Sequence, residues 1–475
     1  MTPIIQALAN YSASDLARWH TPGHKGRASL PYLLPEFDVT EVRDLTPKSV
    51  GGDVIRQSED LMAETFGASR SRYSVQGATL PVMAAILAAT TPYSRVVVDR
   101  IAHQSVHSAL VLGNLEPIWA YPSLGPGGYL LPVDDKERAQ LIMRSQPEAV
   151  IVTSPTYEGL SSPLTETRKV CQEMNIALIV DEAHGTHFAE HQGFPQDALS
   201  QGADLVCHGA HKTEQSLTQT GLLHININVL PQLAKRVDEL WDMLATSSPS
   251  YLLLASLDYL QYIRHQEQYH RQWVNFAVGM REMWKTWEAQ GLFILQSWWE
   301  RHEGGQADPA KVTVVGDGHK LFEAIEPFGV EEKSDPAGIS LIVTPQDDPA
   351  ILNRALKQCA GTMPHRNPLT EFARFWPQSS QALLPYQAWK AKREWVPLSS
   401  AINRIAAKPV IPYPPGIPLV ALGELINRDV ILWLEENHEW YRRGTGDLKG
   451  LESAIEGSSP QRGEEGLWVV KEPAS

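Results

Sequence analysis

Short apolar segments alternate with helical segments through the first half of the chain, and this alternation constrains the fold more than any other feature. The strand-like segments are rich in β-branched residues and bounded by turn residues: Arg95–Asp99, Ala149–Thr153, Ala177–Asp181 and 203–207. Between them, segments 80–89, 105–112 and 164–174 have helical composition. Such alternation predicts βαβ units and an α/β fold with a mostly parallel sheet covered on both faces. Segment 222–228 alternates apolar and polar residues, which predicts an edge strand or a reversed strand.

The second half of the chain has a different pattern. Residues 231–290 are mainly helical in composition, with helices expected at 251–262 and 276–289, and a polar, Gly-containing break follows at 300–309. We therefore expect a large domain with a helical join over residues 1–300. A small α+β C-terminal domain is expected over 310–442. The last part, 443–475, is rich in glycine and charge and is expected to be a flexible tail.

Composition excludes several classes of protein. The 475 residues include 41 Lys and Arg against 55 Asp and Glu, a formal charge of −14, which argues against a nucleic-acid surface and is compatible with a cationic substrate. The three cysteines are too few for a disulfide framework and fit a reducing compartment. The chain has no apolar run of about 18 residues, and its first residues lack a signal-peptide pattern. We expect a cytoplasmic protein with no membrane or nucleic-acid partner.

Three chemically useful side chains follow predicted strands. Asp181 ends one strand, Lys212 follows another, and His103 follows Arg95–Asp99. Because ligands of open parallel sheets bind at the carboxyl ends of the strands, we expect these side chains at one rim. Each residue alone is more often a surface or capping residue, but together they indicate a site.

A lysine and a carboxylate at neighbouring strand ends suit pyridoxal phosphate. The lysine forms a Schiff base when its pKa is lowered by burial and by neighbouring cations. The carboxylate keeps the pyridine nitrogen protonated, so that the ring can accept electrons. Gly77, Ala78 and Thr79 precede a predicted helix and are expected to hold the phosphate through backbone N–H groups and a hydroxyl.

Seven motifs resemble the fold-type-I pyridoxal-phosphate decarboxylases of ornithine, lysine and arginine. In the family's order they are HTPGHKG at 20–26, SPTYEG at 154–159, VDEAHGTH at 180–187, HKTEQSLTQT at 211–220, SPSYLLLASLD at 248–258, KREWVP at 392–397 and PYPPGIPL at 412–419. The resemblance implies an aspartate-aminotransferase-like large domain with a smaller C-terminal domain. It also implies a short form that lacks the N-terminal domain of the large bacterial members.

The resemblance assigns roles to particular residues. Lys212 stands at the Schiff-base lysine, Asp181 faces the pyridinium, and His103 stacks on the cofactor ring. The remaining assigned residues lie around the cofactor: Ala183 and His184 beside the ring, His211 near the phosphate or in a proton relay, Thr79 at the phosphate, Ser154 in a matched segment, and Gly209 three residues before the lysine. Ser247 matches a hydroxyl that reaches the neighbouring subunit's phosphate, which implies a homodimer with its site at the interface, or a higher oligomer. No metal is implied.

Departures from the family pattern surround the phosphate. Ala78 and Gly209 replace serines, and a less polar run surrounds His103. Each lost hydroxyl removes a hydrogen bond to a charged group, worth about 1–3 kcal/mol. Weaker cofactor binding or an altered substrate is therefore an open alternative.

The implied reaction is loss of CO2 from a basic amino acid, giving a diamine or agmatine, as in polyamine synthesis. The sequence does not identify the acid that binds the distal cationic group; Glu158, Asp44 and Glu394 are candidates because they lie in or near matched segments. A degenerate paralogue that only binds or regulates, and a transaminase or lyase on the same cofactor, are open alternatives.

Three other interpretations, a helicase, a zinc hydrolase and an enzyme with a cysteine nucleophile, lack the sequence motifs that they require. Asp181–His184 spells a DEAH box, but no Gly-Lys dipeptide is present for a phosphate loop. Histidine pairs such as His184 and His187 lack an HExxH motif for zinc. The cysteines lie in no nucleophile motif.

Overall fold

The computed structural model describes residues 17–19, 54–189, 193–229, 231–302, 305–362, 375–413, 416–440, 447–449, 451–453 and 465–471. The motif at 20–26 and the candidate acid Asp44 lie outside these residues. Within them, no helix is both long enough and apolar enough to cross a membrane.

Strands and helices alternate along the described part of the chain. The strands are β1 (Ala17–Trp19), β2 (Arg70–Ser74), β3 (Arg95–Asp99), β4 (Glu116–Ala120), β5 (Ala149–Thr153), β6 (Leu160–Ser161), β7 (Ala177–Asp181), β8 (Leu205–His208), β9 (Gly221–Ile225), β10 (Gln306–Ala307), β11 (Lys311–Val315), β12 (Gly329–Glu331), β13 (Lys333–Asp335), β14 (Gly338–Ile342), β15 (Arg393–Pro397), β16 (Ile411–Tyr413), β17 (Asp447–Lys449), β18 (Leu451–Ser453) and β19 (Glu465–Val470). The helices are α1 (Val54–Phe66), α2 (Thr79–Ala89), α3 (Gln104–Leu112), α4 (Asp135–Ser145), α5 (Thr165–Met174), α6 (Ala210–Thr213), α7 (Pro231–Leu244), α8 (Tyr251–Arg264), α9 (Glu267–Ala289), α10 (Leu295–Glu300), α11 (Gly318–Ile325), α12 (Pro349–Thr362), α13 (Pro385–Lys390), α14 (Leu398–Ala401) and α15 (Arg428–Trp440).

The central sheet has seven strands in the order β2-β9-β8-β7-β5-β3-β4. Neighbours from β4 to β8 are parallel, and β9 is antiparallel to both β8 and β2. The α/β fold with a mostly parallel sheet is thus confirmed. The segment at 222–228 does form a reversed strand, but it lies inside the sheet, because β2 pairs with it and takes the edge.

Both faces of the sheet are covered, as its apolar strands require. Val96 and Val98 pack on one face in the same cluster as Leu80 of α2, whereas Val97 packs on the other face with Phe66 of α1. Successive side chains of a strand point to opposite faces, so a strand buried on both faces must be apolar throughout. The parallel strands therefore run through the core and bring their carboxyl ends together.

The described chain beyond the central sheet includes two separate three-stranded antiparallel sheets and the two-stranded antiparallel pair β16-β17. The first is β11-β14-β13 and packs against α10 and α11; the second is β15-β19-β18, near α14. The domain boundaries at 300, 310 and 442 stay predictions. The flexible tail expected from residue 443 is wrong for Glu465–Val470, which pairs along its length with Arg393–Pro397. Leu467 and Val469 of this strand are buried, and their burial offsets the entropy of ordering it.

Candidate active site

A cavity of about 420 Å³ lies at the carboxyl ends of the parallel strands. Strand ends, the start of α2 and two distant segments supply its walls. The lining residues are Gly77, Ala78, Thr79, Ile101, His103, Gln104, Ser105, Thr153, Pro155, Tyr157, Asp181, Ala183, His184, His211, Lys212, Glu332, Tyr413 and Ile417. The structure thus brings together nine of the predicted site residues: Gly77, Ala78, Thr79, His103, Asp181, Ala183, His184, His211 and Lys212.

Asp181 is the last residue of β7 and is 5% exposed. The sheet register places it opposite Thr153 of β5 and Cys207 of β8, in the middle of the rim. Its Oδ1 accepts a hydrogen bond of 3.2 Å from the Ala183 amide. Burial raises the pKa of Asp181, and the positive charge of Lys212 opposes this rise. The carboxylate therefore faces the cavity beside the Lys212 side chain.

Lys212 lies on the short helix α6, directly after β8. Its Nζ is 2.9 Å from His184 Nε2. Burial lowers the pKa of Lys212, while Asp181 and Glu332 act in the opposite direction. A lowered lysine pKa increases the fraction of free amine, which is the nucleophilic form.

His103 and His211 are held by their own local structure. His103 is the N-cap of α3, and its Nδ1 accepts a hydrogen bond of 3.2 Å from the Ser105 amide. A neutral His103 ring therefore carries its proton on Nε2. His211 Nδ1 donates to the Thr220 carbonyl at 2.8 Å. Both rings are oriented by backbone groups before any ligand binds.

The start of α2 fits a phosphate. The helix has Ala78 at its N-cap and no side chain that caps its N–H groups, and Gly77, Ala78 and Thr79 all line the cavity. Gly77 has φ +60°, a conformation that favours glycine. An uncapped helix N-terminus attracts anions, and Thr79 adds a hydroxyl. With Lys212 for an aldehyde and Asp181 for a pyridine nitrogen, this donor set fits pyridoxal phosphate.

Three predicted cofactor-binding residues do not line the cavity of the single chain. Ser154 is buried, and its amide donates to the Asp181 carbonyl at 3.2 Å. Gly209 packs so tightly that a Cβ would lie 2.9 Å from the Ala183 carbonyl oxygen and 3.1 Å from Lys212 Cδ. Ser247 is exposed. Glycine at 209 is thus explained by close packing beside Lys212, whereas a role of Ser247 toward a partner stays a prediction.

The candidate acids from the matched motifs lie elsewhere. Glu158 is buried and pairs with Lys333 at 3.1 Å, and Glu394 pairs with Arg404 at 2.6 Å. Neither lines the cavity. Glu332 does, and its Oε1 accepts a hydrogen bond of 2.9 Å from the Tyr157 hydroxyl. Among the described residues, Glu332 and Asp181 are the carboxyl groups of the cavity wall.

Glu332 and Tyr413 were missed by sequence reasoning. Glu332 lies between β12 and β13, far along the chain from Lys212, and gives no local signal. Tyr413 ends β16 within the matched proline-rich motif, so the motif did contain a signal for it. Tyr157, quoted within another motif, also lies on the wall.

A buried ion pair holds the C-terminal part of the chain against this site. Arg100, just after β3, pairs with Glu424 at 2.8 Å and donates to the Pro418 carbonyl at 2.7 Å. Arg100 is 2% and Glu424 0% exposed. The Gln104 amide donates to the Gly416 carbonyl at 3.2 Å, beside His103. Segment 416–424 is therefore fixed to the strand end that carries His103.

Comparison with known families gives two matches. Residues 34–302 match the Orn/Lys/Arg decarboxylase major domain, and residues 372–471 match the Orn/Lys/Arg decarboxylase C-terminal domain. Among curated proteins, the chain is 27% identical to an arginine decarboxylase of Halalkalibacterium halodurans, over 92% of this chain and 93% of that protein. It is 29% identical to an arginine decarboxylase of Bacillus subtilis, with the same coverage of 92% and 93%.

Solved structures confirm the fold. The Escherichia coli constitutive lysine decarboxylase superposes with a TM-score of 0.73 at 19% identity, over 99% of this chain and 82% of that one. An SPT structure containing pyridoxal phosphate superposes with a TM-score of 0.55 at 15% identity, over 73% of this chain and 86% of that one. The major-domain match covers more than half of the chain. The chain therefore belongs to the Orn/Lys/Arg decarboxylase family.

Proposed function

We propose that this chain is a pyridoxal-phosphate-dependent decarboxylase that converts a basic amino acid into CO2 and the corresponding diamine or agmatine. The observation that carries the proposal is the meeting of Lys212, Asp181 and an uncapped helix N-terminus in one cavity. Family membership selects decarboxylation over transamination, which the same donor set would also permit.

Each wall of the cavity would hold one part of the cofactor. Lys212 would bind its aldehyde carbon, Asp181 would hold a proton at its ring nitrogen, and Thr79 with the first amides of α2 would bind its phosphate. His103 and His184 would flank the ring. When bound, pyridoxal phosphate supplies an electron sink for the negative charge left on Cα as CO2 departs.

The residues of this chain would perform the remaining steps. Glu332 would bind the cationic end of the substrate, oriented by the Tyr157 hydroxyl. Lys212, released when the substrate amine takes its place, would return a proton to Cα. The Gly416 segment beside His103 would restrict water, since it closes that side of the cavity.

Arginine is the first substrate that we propose. Arginine decarboxylases of two species match this chain over 92% of its length. A guanidinium and a carboxylate form a bidentate pair, so Glu332 suits such a substrate. We also propose that the protein acts in the cytoplasm, as a homodimer or a higher oligomer, at an early step of polyamine synthesis.

The test is a product assay on purified chain with pyridoxal phosphate. Arginine, lysine and ornithine are supplied separately, and CO2, the amine and the keto acid are measured. CO2 and amine in equal amounts from at least one substrate are expected. A keto acid without CO2 would make the chain a transaminase. Cofactor binding without any product would make it a degenerate paralogue.

A further inference from the structure

The imidazole of His184 lies between two lysine side chains. Its Nε2 is 2.9 Å from Lys212 Nζ, and its Nδ1 is 2.8 Å from Lys311 Nζ. Lys311 is the first residue of β11, in the antiparallel sheet beyond the central domain, and is 2% exposed. A second amine from a distant part of the chain therefore reaches the reactive lysine through one ring.

The hydrogen-bonding capacity of these groups limits their protons. A neutral imidazole has one N–H donor and one lone pair, whereas an ammonium group only donates. His184 is neutral, because burial and the two lysines hold its pKa well below its usual value. If one lysine donates to the lone pair, the other must accept from the N–H and must be a free amine. At most one of the two lysines is then charged.

Other charged groups around Lys212 and Lys311 determine which of the two lysines carries the positive charge. Asp181 and Glu332 face Lys212, while Glu332, Asp308 and Glu158 act on Lys311. His103 and His211 also act on His184 and lower its pKa. The Tyr157 ring contacts Lys311, with Nζ 5.3 Å from its centroid. Burial lowers the pKa of Lys311 to about 8. Carboxylates from several elements thus stabilise one positive charge on the pair Lys212 and Lys311, whereas burial opposes a second positive charge.

We propose that Lys311 is a positioning residue that keeps Lys212 as a free amine, acting through His184. When Lys311 is protonated, its ammonium group donates a hydrogen bond to the lone pair of His184 Nδ1. The ring proton of His184 then lies on Nε2 and points at Lys212, which can only accept this hydrogen bond. Lys212 is thereby held with its lone pair available for the cofactor aldehyde. The inference depends on the proposed function only for the use of that amine, since the arrangement exists without any ligand.

The test is the pH dependence of Lys212 reactivity in the full-length chain before cofactor is added. Trace acetylation by acetic anhydride is measured by mass spectrometry of the Lys212 peptide, because only the free amine reacts. Lys311→Met and Lys311→Gln remove the charge of residue 311. They are expected to raise the pH midpoint of Lys212 acetylation by on the order of one pH unit. Lys311→Arg keeps the charge and should leave the midpoint at or below that of the wild type.

A purely structural role for Lys311 would not produce this pattern. Circular dichroism and unfolding curves identify any variant that does not fold, and the rate of pyridoxal phosphate capture against pH gives a second midpoint. The proposal would be overturned if wild type and Lys311→Gln had the same pH midpoint for Lys212 acetylation. It would also be overturned if Lys311→Arg raised that midpoint as much as Lys311→Met does. Failure of the decarboxylation assay would not move these midpoints, so the two proposals fail separately.

Discussion

The two carboxyl groups that line the cavity have different surroundings and therefore suit different roles. Asp181 is buried at a strand end, where Lys212 and the Ala183 amide stabilise its charge. Glu332 is partly buried and accepts a hydrogen bond from Tyr157. A buried carboxylate beside a lysine suits a fixed partner such as a ring nitrogen. A partly exposed one can meet a cationic substrate that enters from solvent.

The role of Glu332 predicts a change in substrate affinity. Glu332→Gln keeps the size of the side chain and removes its charge, so KM for the preferred basic amino acid should rise about 10- to 100-fold. The loss in kcat should be smaller. Glu331→Gln, one residue away and outside the cavity wall, is the matched control. An unchanged KM in Glu332→Gln, measured by initial rates, would remove Glu332 from substrate binding.

The site residues that sequence alone predicted share one property. Asp181, Lys212 and His103 each follow a strand of the parallel sheet closely, so sheet geometry places them at one rim. Lys311 begins β11 of a separate sheet and Glu332 lies between β12 and β13, so their approach depends on tertiary packing that no local pattern records. Gly209, which looked like a lost hydroxyl, is a packing requirement beside Ala183.

At the level of elements, a row of four hydrogen-bonded side chains crosses the sheet from β2 through β9 and β8 to the end of β7. Ser71 of β2 lies 2.7 Å from His224 of β9, His224 lies 3.1 Å from His208 of β8, and His208 lies 2.8 Å from Glu182 after β7. All four residues are buried. Each neutral imidazole donates once and accepts once, so these hydrogen bonds cannot all form when both histidines are charged, and burial lowers the pKa of each.

This chain of histidines predicts loss of stability in acid. Burial lowers the pKa of His224 from 6.5 to about 3. Below pH 6.5 the unfolded chain binds a proton that the folded chain does not, so the free energy of unfolding should fall by about 1.4 kcal/mol per pH unit from this group. His224→Gln cannot titrate and should show a shallower decline in denaturant titrations between pH 7 and 5. An equally steep decline would contradict the neutral state of His224.

The ion pair between β3 and the C-terminal part predicts a second stability effect. Arg100→Met leaves Glu424 buried without its partner and should cost about 3–5 kcal/mol of unfolding free energy. Adding Glu424→Gln removes the unpaired charge and should recover much of this loss. The comparison is made by denaturant unfolding of the single and double variants. If the double variant were no more stable than Arg100→Met, the unpaired charge of Glu424 would not be the cause of the lost stability.

The strands at the centre of the parallel sheet could be predicted from sequence, and strands that were missed elsewhere have physical reasons. The parallel strands β3, β5 and β7 are continuous apolar runs and were located correctly. Strand β2 reads Arg-Ser-Arg-Tyr-Ser, a polar sequence that pairs because β9 offers it an edge. Strand β19 lies in a glycine-rich, charged region, but its Leu467 and Val469 have a core to enter.

At the level of the whole molecule, the central sheet supplies the cofactor groups and the later units complete the cavity. Glu332 comes from the connection between β12 and β13, and Tyr413 and Ile417 come from the C-terminal part. The cavity therefore requires the relative positions of all three parts. Ser247 is exposed in the single chain, which leaves it accessible to a second copy.

A homodimer predicts that activity depends on concentration. Light scattering at micromolar protein should give twice the chain mass of 52.8 kDa. Dilution that halves the mass should lower specific activity in parallel, because each site would lose groups that the partner contributes. Full specific activity from a species of the single-chain mass would contradict a shared site.

The most direct measurement of the central claim is the isotope content of the product formed in deuterated water. Decarboxylation replaces the carboxylate on Cα with one hydrogen from solvent, which in the proposed mechanism Lys212 would deliver. Mass spectrometry of the amine formed from arginine, or from whichever basic amino acid is turned over, should show one carbon-bound deuterium with the wild-type chain and pyridoxal phosphate. The Lys212→Ala chain should form no such amine. Equal amounts of deuterated amine from both chains, or no amine from any of the three substrates with the wild type, would contradict decarboxylation at Lys212.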